Sequence, residues 1–196
     1  MERSTLRLLQ SERVLSCPTI KASDDPVFQN AYAWMKASMT EAGLPAPASD
    51  ISPWWCWIRR DEGHPEPYIE DVEGLDDPVV LELSLPSSLI VLSCFDLWHF
   101  ALNRWYIWDS EADHVEFEHA WEVAQEEAVY LPSPDEKMFK SWSAIFELDQ
   151  DRVDLGRLEA KSIQGCFWVL KLDYVIGLIE LGELTSYDDS DSEMGA

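Results

Sequence analysis

His99 and Asn103 stand four residues apart in Phe95-Asp96-Leu97-Trp98-His99-Phe100-Ala101-Leu102-Asn103. On a helix that spacing puts an imidazole and an amide on one face. An imidazole titrates near neutral pH and serves as a general acid or base, or anchors a ribose hydroxyl. Immediately upstream, Leu89-Ile90-Val91-Leu92-Ser93-Cys94 is a continuous run of mostly branched apolar residues. Such a run predicts a central strand buried on both faces. Asp96 at the switch is placed to cap the helix, and the apolar residues around most of its circumference predict a largely buried helix. Strand-to-helix junctions of this kind are where α/β proteins place sites. Trp55, Trp57 and Trp142 supply aromatic faces, and Gln164 a further polar tip. Together with Asp96, His99 and Asn103 they form a candidate ligand pocket. The catalytic candidates in it are His99, Asn103 and Gln164, and the ligand chemistry is NAD or another nucleotide. No Gly-rich phosphate loop, HExxH or GxSxG stands beside them.

Charge offers a second kind of chemistry. The chain of 196 residues carries a formal charge of -24. Residues 1–60 balance at +1, residues 61–136 at -19 with Arg104 as the one basic side chain, and residues 137–196 at -6. A field of that sign repels nucleic acid and attracts basic partners. The segment 109–130 reads as an acidic helix beside an acidic loop, 61–77. Their carboxylates can stand at intervals comparable to those of DNA, which carries one charge per ~1.7 Å of axis. The partner-binding candidates are Asp109, Glu111, Asp113, Glu116, Glu118, Glu122, Glu126 and Glu127, with Asp71, Glu73, Asp76 and Asp77. The implied partner is a basic nucleic-acid-binding protein. No metal is expected, since His114 and His119, five residues apart, do not share a helix face.

The elements that must position these groups follow from pattern. Ser4–Arg13 reads as a helix capped by Ser4, and Val14–Cys17 as a strand ended by Pro18. After Ser23 and a turn at Asp24-Asp25-Pro26, a helix runs to about Ala42, with Val27, Phe28, Ala31, Tyr32, Trp34, Met35 and Met39 on its apolar face and Gly43 at its end. Trp54–Ile58 is a strand with Trp55 and Trp57 on one face and Trp54 and Cys56 on the other. A proline-rich excursion follows, with a short strand near Tyr68-Ile69. Val79–Leu85 is a strand with Glu82 and Ser84 outward. Trp105–Trp108 is extended, Asp135–Phe146 helical, and Gln164–Leu172 one strand leading into a final turn near Val175. The acidic tail, 187–196, is expected to be disordered. Strands and helices interleave without a βαβ rhythm. The fold class is therefore α+β: one domain over 1–186, a mixed or mainly antiparallel sheet, and flanking helices.

Several of these segments, in order, resemble the signatures of an uncharacterised family of small bacterial and phage proteins that carries a domain-of-unknown-function label. They are Ala31-Tyr32-Ala33-Trp34-Met35, Pro53-Trp54-Trp55-Cys56-Trp57, Phe95-Asp96-Leu97-Trp98-His99 with Asn103, Ser141-Trp142 through Ile145-Phe146, and Gln164 with Phe167-Trp168-Val169-Leu170. The resemblance covers about residues 25–180. It implies no activity. The family pattern has an acid where this chain has Cys94, and an N-terminal Trp-Thr-x-Gln strand without an equivalent before Ser4.

Two functions have residues behind them, and a third, a toxin- or antitoxin-like component, fits the size alone. The leading one is an acidic, cytoplasmic, non-enzymatic inhibitor that mimics nucleic acid, with no cofactor and no membrane or direct nucleic-acid contact. Its partner is a basic protein of a host defence complex, as in phage or mobile-element counter-defence of the anti-CRISPR or anti-restriction kind. The alternative is a nucleotide-binding enzyme centred on His99 and Asn103, resembling ADP-ribosyltransferases in architecture only. The cytoplasmic expectation rests on the absence of an apolar leader or of a run of ~20 apolar residues. The four cysteines, with no CxxC spacing, are expected to be small buried thiols.

Overall fold

In the computed structural model, the structure describes residues 1–18, 26–60, 67–126, 136–148, 162–184 and 186, without the side chains of 18, 26, 27 and 120–126. Within them the fold is α+β, with three small antiparallel sheets and five α-helices. Ser23, Asp24, Asp25, Glu127, Asp135 and the 187–196 tail lie outside the described residues.

The central sheet holds β3 (Trp54–Arg59), β6 (Ile163–Phe167) and β5 (Val91–Cys94), in that order. Side chains alternate across a strand, so its two faces serve two cores. Trp55, Val91 and Cys166 face the larger core, with Ala31, Met35 and Met39 of α2 (Pro26–Glu41), Leu97, Trp98 and Ala101 of α3 (Phe95–Leu102), and Met138 of α5 (Glu136–Ser141). Trp142 and Ile145, in a 3-10 turn over Trp142–Phe146, complete it. Trp54, Cys56 and Phe167 face the smaller core, with Leu9 of α1 (Arg3–Glu12) and Leu81 and Leu83 of β4 (Val79–Leu83). β4 pairs with β8 (Val175–Glu180), and β1 (Val14–Pro18) lies between β2 (Ile51–Ser52) and β7 (Val169–Lys171).

Several expectations are corrected. The strand before His99 is an edge strand, and Leu92 is 36% exposed, its register partner being Gly165, which has no side chain to lie beside it. The expected Gln164–Leu172 strand breaks at Trp168, whose indole Nε1 donates to the Leu44 carbonyl at 2.8 Å, and β6 and β7 enter different sheets. Ser4 lies inside α1, where Glu2 is the cap residue and no side chain caps it. Ile69–Val72 is a 3-10 turn rather than a strand. The turn expected at Leu172–Val175 is present as a 3-10 turn over Leu172–Tyr174, but the chain then continues as β8. Among the described residues no helix is long and apolar enough to cross a membrane.

Candidate functional site

α3 starts directly after β5, with Cys94 as its cap residue and the Phe95 amide bonded to the Ser162 carbonyl at 3.0 Å. Asp96 therefore sits in the first turn, half-buried, instead of capping the helix. His99 and Asn103 share a face as their spacing requires, and that face is exposed. Their polar atoms serve the helix itself. His99 Nδ1 is 3.1 Å from the Phe95 carbonyl, and Asn103 Nδ2 donates to the His99 carbonyl at 2.7 Å. The imidazole meets the Phe95 ring edge-on at 4.5 Å, Phe95 meets Trp57 at 4.5 Å, and the Arg60 guanidinium lies 4.6 Å above Trp57. Arg60 pairs with Asp71 at 3.1 Å, both side chains being about 15% exposed or less.

The other pocket candidates lie deeper. Trp55 packs on Trp98 at 5.0 Å and on Tyr32 at 6.1 Å. Trp142 is fully buried, with its Nε1 donating to the Trp105 carbonyl at 2.8 Å. Gln164 is buried between Trp57 and Ser93, its register partners in β3 and β5. Trp55 Nε1, Ser93 Oγ and Gln164 Nε2 are buried and make no hydrogen bond among the described residues. The structure thus keeps Trp57 near His99 through Phe95 and beside Gln164 through their strand register, and leaves the exposed His99–Asn103 face apart from Trp142 inside the core.

A different group converges. Asn103, Arg104 and Trp105 close α3 through bonds to the His99, Ala101 and Phe100 carbonyls at 3.0, 3.2 and 2.7 Å. Arg104 takes the left-handed conformation, φ 55°, that normally selects glycine at a helix end. This bend carries Trp105–Trp108 back beneath α4 (Glu111–Glu126). Ser110 caps α4, its Oγ accepting from the Asp113 amide at 3.2 Å. Asp113 in turn accepts from the Tyr106 hydroxyl at 2.8 Å and the Asp109 amide at 3.2 Å, and meets Lys137 at 3.6 Å. Desolvation pulls the Asp113 carboxyl upward, but these donors outweigh it and hold it below the usual carboxylate range. Burial, then the bond to Asp113, pushes the Tyr106 phenol well above its ordinary value.

Around this anchor lies a cavity of about 590 Å³ lined by Phe100, Trp105, Tyr106, Trp108, His114, Phe117 and Glu118. Phe117 stacks on Tyr106 at 5.1 Å, and His114 on Trp108 at 3.9 Å with His114 Nε2 3.4 Å from Glu118. Trp105 is 49% exposed. The residue pattern pointed here only through the aromatic density of Trp105-Tyr106-Ile107-Trp108, which has no strand partner. A second cavity, about 250 Å³, lies between Leu44–Pro47 and Phe167–Tyr174. Neither is lined by His99, Asn103 or Gln164.

The acids divide by use. Asp71 is held by Arg60, Asp77 by Arg3 at 3.0 Å, and Asp113 by the α4 anchor. Asp109, Glu111, Glu116, Glu118, Glu73 and Asp76 are exposed. Glu122 and Glu126 follow on the α4 backbone, with side chains outside the described residues. The 71–77 acids hang from Arg60 and Arg3, the α4 acids from Tyr106 and Lys137, so separate parts of the fold carry them.

The model of a family described as a domain of unknown function, DUF3841, matches residues 9–176. The chain belongs to this family. The DUF3841 match takes in both the His99 face and the aromatic cavity, and it ends at the start of β8. No curated protein and no solved structure matches the chain. Burial pushes the Cys166 thiol well up and the Cys56 thiol to about 11, so neither is a ready nucleophile at neutral pH.

Proposed function

We propose that this DUF3841 protein is an acidic, non-enzymatic interaction protein whose α4 face occupies the nucleic-acid site of a basic partner. The observation that carries the reading is the division of labour along α4. Its inward acid, Asp113, is consumed in anchoring the helix, while Glu111, Glu116 and Glu118 stand exposed. Glu111 and Glu118, seven residues apart, share a side of α4 and rise by ~10 Å. That separation is close to one Debye length, about 8–10 Å at 0.10–0.15 M salt, so the two carboxylates still present one field to a cationic groove. Among the described residues, Arg104 lies in the loop before α4, and Lys137 is paired with Asp113. A nucleic-acid-binding protein of a host defence complex is the class of partner such a face fits.

The test is retention of nucleic-acid-binding proteins from host lysate by the immobilised full chain. Retention at low salt, release by salt or excess duplex DNA, and loss in the Glu111→Gln, Glu116→Gln, Glu118→Gln triple variant are expected. Failure to retain any such protein at low salt overturns the reading.

A further inference from the structure

We infer that the aromatic cavity beside α4 receives an arginine side chain presented by the basic partner. The inference rests on the reading of α4 as the interaction face and names what that face grips. A guanidinium is planar and weakly hydrated, stacks on aromatic faces, and pairs through its fork with a carboxylate. The cavity offers both recognition elements. Trp105 and Phe100 meet edge-to-face at 5.5 Å, with Trp105 half-exposed, and Glu118 lines the cavity from α4. The structure already uses this chemistry beside the cavity. Lys137 Nζ lies 4.8 Å from the Tyr106 ring centre and 3.6 Å from Asp113, so a cation is held there by a ring and a carboxylate together. Charge complementarity selects the occupant. Glu111, Glu116 and Glu118 are exposed on the helix that walls the cavity, and a phosphate-bearing ligand would be repelled by them.

Interfaces draw most of their affinity from a few buried aromatic and arginine contacts surrounded by weaker ones. An acidic face alone steers encounter, whereas a seated guanidinium holds the complex once formed.

The experiment titrates the full chain with Nα-acetyl-arginine amide and follows the indole N–H resonances. A saturable shift confined to the cavity tryptophans, Trp105 and Trp108, is expected, with Kd on the order of a millimolar. Glu118→Gln should weaken it about fivefold, and Trp105→Ala by a similar factor or more. Trp105→Ala keeps the carbonyl that accepts the Trp142 indole, so the core bond survives. Unchanged circular dichroism and melting temperature would establish that the variant folds, and Trp105→Phe should restore part of the binding if it does not. Absence of saturation, an unaltered Kd in Glu118→Gln, or tighter binding of AMP at the same resonances overturns the inference. The titration needs no partner. Arginine binding without lysate capture would sink the proposed function and leave the cavity assignment standing; capture without arginine binding would do the reverse.

Discussion

The Tyr106 hydroxyl donates to Asp113 Oδ2 across 2.8 Å and ties the loop after α3 to the first turn of α4. The bond spans seven residues and orients both walls of the aromatic cavity, because Phe117 stacks on the same tyrosine. Tyr106→Phe removes the donor and keeps the ring. The expected cost is about 1 kcal/mol, read as a melting temperature lowered by about 2–4 °C. Asp113→Ala should cost more, since the Asp109 amide and Lys137 lose the same acceptor.

Acid should loosen this anchor. The Asp113 carboxyl is held below its ordinary value in the folded state. A group with a depressed folded pKa contributes stability above its unfolded value, about 3.9, and loses it as pH falls through the lower folded value. Between pH 5 and pH 3 the wild type should therefore lose stability that Asp113→Asn has already lost at neutral pH. The difference between their melting temperatures should shrink toward acid. A constant difference would show that the carboxylate charge is not what holds the helix.

What the residues alone reveal depends on whether one element suffices to interpret them. α2 was legible because Ala31, Met35 and Met39 recur at helical spacing and Gly43, φ 85°, ends the helix. The alternation of Trp54 and Trp55 between the two cores was legible for the same reason. β8 was not, because Ile176 and Leu178 face solvent at 61% and 41% exposure and blur the inside-outside pattern. Gly177 reads as a breaker in the sequence, yet a Cβ there would stand 2.5 Å from Glu82 Oε2, so the glycine makes room for its neighbour across the ribbon. His99 and Asn103 were correctly placed on one helix face, but only tertiary packing decides that this face meets solvent. The cavity needs α3, a left-handed turn at Arg104 and α4 together, and no single periodicity announces such a meeting.

His99→Ala and Asn103→Ala separate the two readings of function. Both side chains are exposed and, among the described residues, bond within α3. Each change should alter stability by no more than about 0.5–1 kcal/mol. Retention of the basic partner should be unaffected, whereas a nucleotide-using enzyme centred on this face would lose its activity.

Gly165 leaves room on the smaller-core face of the central sheet, where Ile90 and Cys56 pack. A Cβ at this position of β6 would meet Ile90 Cδ1 at 2.3 Å, Ile90 Cγ1 at 2.9 Å and Cys56 Sγ at 3.3 Å. Gly165→Ala should destabilise by about 1–3 kcal/mol through overpacking. Ile90→Val removes the nearest carbon. Added to Gly165→Ala it should cost less than the sum of the two changes, a coupling that thermal or denaturant melts of the four chains can measure.

The last prediction concerns the buried polar atoms of the central sheet. Ser93 Oγ and Gln164 Nε2 lie on register-paired residues, and neither makes a hydrogen bond among the described residues. An unsatisfied buried polar group costs about 1–3 kcal/mol, and replacing it by an apolar group of similar shape is neutral or stabilising. Ser93→Ala and Gln164→Met should therefore leave the melting temperature unchanged or raise it by a few degrees. A fall of the same size in both single variants and in the pair would mean that the two side chains hold one shared polar guest, such as an ordered water. Cys166, two residues along the same strand face, offers the contrast. It is fully buried in an apolar setting, and Cys166→Ser should destabilise by placing a hydroxyl where the thiol needs no partner. Opposite signs at Gln164 and Cys166, on one face of one strand, would show that this layer is stabilised by apolar contact and that its polar members are tolerated rather than required.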